Sequence, residues 1–153
     1  MAIIGSSYGG YLSAYAVGHS DQFRAAVVCA PVANMESHFG TSDSGYYADA
    51  YSTDGEPDEQ RELMARLSPM TVIEQVRTPT LFLQGADDER CPRGQSEELF
   101  VKLRRAGRAP TEMVLYPGGS HHVFGTGKPA HRLDIQRRIV DWLGRWIDGC
   151  ATV

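Results

Sequence analysis

Three short stretches of the chain carry residue types that could together perform acyl transfer. The first, Gly5-Ser6-Ser7-Tyr8-Gly9-Gly10, is a G-x-S-x-G pattern centred on Ser7. A serine forced onto a sharp strand-to-helix turn projects its hydroxyl above a sheet, and flanking glycines let neighbouring backbone pass without a Cβ collision. The amide of Tyr8, opening the helix that would follow, then points to where a tetrahedral oxyanion would form. A serine needs a base, and the base needs an orienting carboxylate. The acidic cluster Asp87-Asp88-Glu89 and the pair His121-His122 supply candidates for both, in the chain order Ser, acid, His. Singly, such a cluster reads as a solvated turn and such a pair as a surface loop. Together and in this order they read as one constellation.

These groups need elements to hold them. Four short apolar runs bounded by turn residues, Ala2–Ile4, Ala25–Val28, Thr80–Leu83 and Met113–Leu115, have the look of buried parallel strands. Helix-length stretches lie between and after them, roughly Gly10 to Val17, Asp58 to Leu67, Gly94 to Ala106 and His131 to Ile147. The last puts Ile139, Leu143 and Trp146 on one face with Val140 and Ile147 alongside, leaving Arg137, Arg138, Asp141 and Arg145 for water. Alternation of this kind predicts an α/β fold: a parallel sheet of about four strands with helices on both faces, and ligands beyond the strands' carboxyl ends. Ser7, the acid and the histidine all fall just after a strand. Pro31 to Pro57, rich in Gly, Ser, Asp and Tyr, reads as one long irregular segment, a length that is usually functional or disordered. Ser68 followed by Pro69 predicts a short helix with the serine as its N-cap.

Bulk properties narrow the function. At 153 residues, 42% hydrophobic and 22% charged, the chain fits one folded domain with a real core. A net charge of −4 with scattered arginines argues against nucleic acid. No apolar run approaches a membrane span and no basic leader opens the chain. Cys29, Cys91 and Cys150 lack metal-type spacing and suit a reducing compartment, so the expected address is cytoplasmic. Neither a metal nor a cofactor is expected.

Over nearly its whole length the chain resembles the C-terminal catalytic part of prolyl oligopeptidase family serine peptidases, acylaminoacyl-peptidase branch. Ser7 in Gly-Ser-Ser-Tyr-Gly-Gly-Tyr looks like the family's nucleophile motif. Gly40-Thr41-Ser42-Asp43 with Gly45-Tyr46-Tyr47, Ser68-Pro69, Thr78-Pro79-Thr80-Leu81 and Gly127-Lys128-Pro129 with His131-Arg132 resemble further segments. The resemblance implies an α/β-hydrolase fold, of which this would be the C-terminal half. It places the acid two residues before an arginine and four before a proline, which selects Asp88 over Asp87. It places the base four residues after the proline of a Tyr-Pro-Gly turn, which selects His121 over His122. Arg90 matches a position that binds a substrate carbonyl in some members, and reads equally as surface charge. Tyr46 and Tyr47 would line the pocket for the residue before the scissile bond, or else pack the long loop onto the sheet.

The implied function is hydrolysis of short or N-acylated peptides by a Ser-His-Asp triad through an acyl-enzyme. The departure from the family lies at the front, where earlier strands, a second oxyanion donor and a β-propeller would precede Ser7. Their absence implies an isolated chain of low activity, since one lost donor costs about 3 kcal/mol. It also implies an open first strand through which copies could associate. A carboxylesterase or thioesterase on the same fold, and a silent association module, are the rival readings.

Overall fold

A computed structural model describes residues 1–149 of the chain; Cys150 lies outside the described residues. Four strands, β1 (Ala2–Ser6), β2 (Ala25–Cys29), β3 (Thr80–Gly85) and β4 (Thr111–Tyr116), form one sheet in the order β1-β2-β3-β4. Every neighbouring pair is parallel, and the register runs Gly5, Val28, Phe82, Met113 straight across. The carboxyl ends of all four strands therefore lie along one rim.

Alternation along the strands sorts the core into two layers, because successive side chains leave a strand on opposite faces. Ala26, Val28 and Phe82 pack on one face against Ala14 and Val17 of α1 (Tyr8–His19) and Leu99 and Leu103 of α5 (Arg93–Ala106). Ala25, Val27, Leu81 and Leu83 pack on the other against Ile135 and Trp142 of α6 (Pro129–Leu143). Each fully buried leucine or phenylalanine here contributes about 1.5–3 kcal/mol. The expected α/β architecture of a four-stranded parallel sheet with helices on both faces is the one observed. Beyond α6 the helix continues as a wider π turn, Gly144–Asp148. Ile139, Leu143, Trp146 and Ile147 pack inward as expected. Val140 is instead 66% exposed, because the turn is centred on Ile135 and Trp142.

The segment read as irregular is mostly helical. After Pro31 come α2 (Met35–Thr41), α3 (Gly45–Thr53) and then α4 (Pro57–Leu67). Asn34 caps α2, its side-chain oxygen accepting from the amides of Glu36 and Ser37, and Asp54 ends α3 in a left-handed conformation. The buried positions of α3, Gly45, Asp49 and Thr53, keep the spacing of a helical face. Their residue types are small or polar, so no apolar stripe announces the helix. Ser68 does precede a short 3-10 helix, Pro69–Thr71, but its hydroxyl does not cap it. That Oγ donates to the Met64 carbonyl at 2.7 Å and accepts from the Met35 amide at 3.0 Å, tying α4 to α2. Among the described residues no helix is long and apolar enough to cross a membrane.

Candidate active site

The turn between β1 and α1 holds Ser7 at φ 60° and ψ −121°, a conformation a non-glycine residue adopts only under constraint. The Ser7 amide is anchored on the Cys29 carbonyl at 3.0 Å. Tight crossing of strand and helix explains the glycines, though not the pair that the motif names. A Cβ on Gly5 would lie 2.1 Å from the Gly9 carbonyl oxygen, and one on Gly10 would lie 2.4 Å from that of Cys29, whereas Gly9 has open space. Tyr8 opens α1, so its amide is one of the donors a helix's first turn leaves unpaired.

Asp88 sits in the turn after β3 with its side chain fully enclosed. Its Oδ1 accepts from the amides of Arg90 at 3.0 Å and Cys91 at 2.8 Å. Its Oδ2 accepts from the Gln84 side-chain amide at 3.3 Å. His121, after β4, lies with Nδ1 2.9 Å from Asp88 Oδ2 and Nε2 2.9 Å from Ser7 Oγ. A carboxylate only accepts, so Nδ1 carries the proton and Nε2 is free to accept from the serine hydroxyl. The neighbouring candidates go elsewhere: Asp87 and His122 are exposed, and His122 meets His121 edge-on with ring centroids 5.7 Å apart. The structure thus brings Ser7, His121 and Asp88 into one hydrogen-bonded line.

Beside Ser7 opens a cavity of about 160 Å³ whose walls include Tyr11, Val32, Met35, Ala48, Arg90 and Cys91. Arg90 reaches it while forking onto the Asp43 carboxylate at 2.5 and 3.1 Å. That bidentate bond holds the Asp43 carboxyl below its ordinary range and raises the guanidinium further. Tyr46 and Tyr47 are not brought to the cavity. Both are more than half exposed and pack edge-on against each other, with ring centroids 5.1 Å apart. The face of α3 that lines the cavity is Ala48, Asp49 and Ser52.

Several residues that shape the site escaped the sequence reading. Gln84, wholly buried, donates to Asp88 and to the carbonyls of Gly85 and Cys91 while accepting from Ser96 Oγ at 2.6 Å. His38 of α2 binds Asp49 of α3 through Nδ1 at 2.7 Å and the Arg90 carbonyl through Nε2 at 2.9 Å. Cys91 lies beside Ser7 as a second potential nucleophile. Burial, and then the charge of Asp88, push its thiol up to about 12, so at neutral pH it stays protonated and unreactive.

Cys29 is likewise pushed up to about 12 by burial. A thiol whose pKa is raised on folding stabilises fully below its unfolded value, and that contribution is lost as pH climbs through the folded one. Stability is therefore expected to fall between about pH 9 and 12, and Cys29→Ala should flatten that fall in urea melts taken across the range.

Known proteins share this chain's sequence pattern and fold. Residues 1–150 match the family model for the prolyl oligopeptidase family. The uncharacterized peptidase YuxL of Bacillus subtilis is 33% identical over 148 residues, 97% of this chain and 22% of that protein. The acylamino-acid-releasing enzyme of Mus musculus is 34% identical over 131 residues, 79% of this chain and 17% of that one. Pyrococcus horikoshii acylaminoacyl peptidase superposes with a TM-score of 0.90 at 26% identity, over 96% of this chain and 24% of that chain. This chain spans about a fifth of the length of the curated relatives it matches. With its elbow serine, its rim of strand ends and a family match running almost end to end, the chain belongs to the prolyl oligopeptidase family.

Proposed function

We propose that this chain carries the nucleophile, base and acid of a serine peptidase acting on short or N-acylated peptides, with Ser7, His121 and Asp88 in those roles. The observation that carries the reading is the unbroken relay from Ser7 Oγ through both His121 nitrogens to an enclosed carboxylate. Ser7 Oγ attacks the peptide carbonyl as its proton passes to His121 Nε2, and Asp88 stabilises the imidazolium. The oxyanion accepts from the Tyr8 amide. His121 then protonates the leaving amine, giving an acyl-Ser7 ester. Water attacks that ester with His121 again taking the proton, and the acid departs with Ser7 restored. Family membership favours amide over simple ester substrates, and Arg90 at the cavity's edge is suited to hold a substrate carbonyl.

The test is hydrolysis of acetyl-amino-acid anilides against simple alkyl esters of the same acyl groups, with Ser7→Ala as control. Turnover of anilides that vanishes in Ser7→Ala supports the reading. Turnover of esters alone would make the protein an esterase. The free, buried thiols of Cys29 and Cys91 support a reducing, cytoplasmic address.

We further propose that β1 mediates self-association. It is an edge strand in this sheet, and Ile4 on it is 51% exposed. An unblunted apolar edge pairs with another strand when one is offered. Sedimentation velocity should give a weight-average mass that rises with concentration, and Ile4→Lys should restore a constant monomer mass. A monomer at every concentration would refute this.

A further inference from the structure

The cavity beside Ser7 is not uniformly apolar. Besides Val32 and Met35 it is lined by His38 and Asp49, 3% and 5% exposed, forming a buried couple that the peptide chemistry described above does not use. Proton counting fixes its state. The Arg90 carbonyl can only accept, so His38 Nε2 carries a proton and donates to it at 2.9 Å. The 2.7 Å contact between His38 Nδ1 and Asp49 Oδ2 needs one further proton, because two lone pairs would repel at that distance. Whichever atom holds that proton, the couple is neutral as a unit. One valence is left over. Asp49 Oδ1 has no hydrogen-bond partner among the described residues, and Asp49 lines the cavity.

An acceptor left without a partner on a cavity wall is a point at which an entering side chain can donate a hydrogen bond in place of solvent. The cavity, about 160 Å³, is smaller than the roughly 300–1,000 Å³ of drug-sized sites and has room for one side chain. A cationic tip is disfavoured, since the couple is neutral and Arg90 is among the lining residues. We propose that Asp49, held by His38, makes this pocket select a substrate side chain with an apolar body and an uncharged donor at its tip, tyrosine above phenylalanine and lysine. The inference rests on the reading of Ser7 as nucleophile and deepens it by naming a substrate class.

The test compares the rates at which peptidyl diphenyl phosphonates carrying tyrosine, phenylalanine or lysine at the reacting residue phosphonylate Ser7 in the full 153-residue chain. A pocketless fluorophosphonate serves as the reference reagent. The expected result is a tyrosine form roughly two- to tenfold faster than the phenylalanine form, the range one net hydrogen bond supports. The lysine form should be slower than the tyrosine form. In Asp49→Leu the tyrosine-to-phenylalanine ratio, measured within the one variant, should fall to near one. In Asp49→Asn it should persist, because the asparagine nitrogen can donate to His38 Nδ1 while its oxygen still accepts. Equal tyrosine and phenylalanine rates in the wild-type chain, a faster lysine form, or a ratio retained in Asp49→Leu would each overturn the proposal. The wild-type comparison decides even where Asp49→Leu fails to fold. Ser7 labelled by the fluorophosphonate with no tyrosine preference refutes the specificity alone. No labelling by any reagent refutes the nucleophile and the specificity with it.

Discussion

Asp88→Asn is expected to slow acylation of Ser7 by about 10⁴-fold while leaving the fold in place. The carboxylate now accepts from two backbone amides, the Gln84 amide and His121 Nδ1. An asparagine can keep its oxygen on the Arg90 and Cys91 amides, which turns its nitrogen toward the imidazole. That nitrogen donates to Nδ1, forcing the ring proton onto Nε2. The base then offers Ser7 a donor where it must accept, and the imidazolium loses its counter-charge. The new amide also faces the Gln84 amide donor-to-donor, so a modest loss of stability accompanies the kinetic one. Rates of Ser7 labelling by a fluorophosphonate, with circular dichroism to verify the fold, separate the two. A rate within tenfold of wild type would mean that Asp88 does not set the tautomer of His121.

The largest effect on stability should come from Gly5→Ala. The added carbon would sit 2.1 Å from the Gly9 carbonyl oxygen and 2.8 Å from Ser13 Oγ. The first of these is backbone that cannot swing aside without unwinding the start of α1. Overpacking costs about 1–3 kcal/mol where side chains can adjust, so about 3 kcal/mol or more is expected against a backbone atom. That is a large share of the ~5–15 kcal/mol that holds a domain together. Gly10→Ala should behave alike because of the Cys29 carbonyl at 2.4 Å. Gly9→Ala is the internal contrast. Nothing lies within 4 Å of its Cβ, and alanine favours a helix over glycine by up to about 1 kcal/mol. Urea melts of the three variants check this ordering. Equal losses at Gly5 and Gly9 would mean that the motif's glycines serve backbone conformation rather than clearance.

How far the sequence reveals this molecule depends on which side chains point inward. The strands are legible because both of their faces are buried in the middle of the sheet, so β2 and the Leu81-Phe82-Leu83 stretch of β3 read as apolar runs. Ser7, the acid and the histidine are legible because each follows such a run. Asp88 and His121 are separated from their neighbours Asp87 and His122 by the family pattern, and in the structure by burial. The helices α2 and α3 are not legible in this way. Of their inward positions, Met35, His38, Gly45, Asp49 and Thr53, only Met35 carries an apolar side chain, and His38, Asp49 and Thr53 are satisfied by hydrogen bonds instead. Missing α3 also misdirects the tyrosines. In an extended loop Tyr46 and Tyr47 could fold over the pocket, but on a helix whose inner face is 45, 49 and 53 they point outward. Asp43, Arg90's partner, lies 47 positions away along the chain, a pairing that no local pattern encodes. Gln84 is hidden in a strand where any buried residue would satisfy the pattern.

Every step of the proposed chemistry requires Ser7 to be a nucleophile activated by His121. Treating the folded chain with a fluorophosphonate and mapping the adduct by peptide mass spectrometry tests this most directly. The expected result is a single adduct on Ser7, lost in Ser7→Ala and formed at least about 10³-fold more slowly in His121→Ala. An adduct on another residue, no adduct in folded protein, or labelling of Ser7 that proceeds unchanged without the imidazole would contradict it.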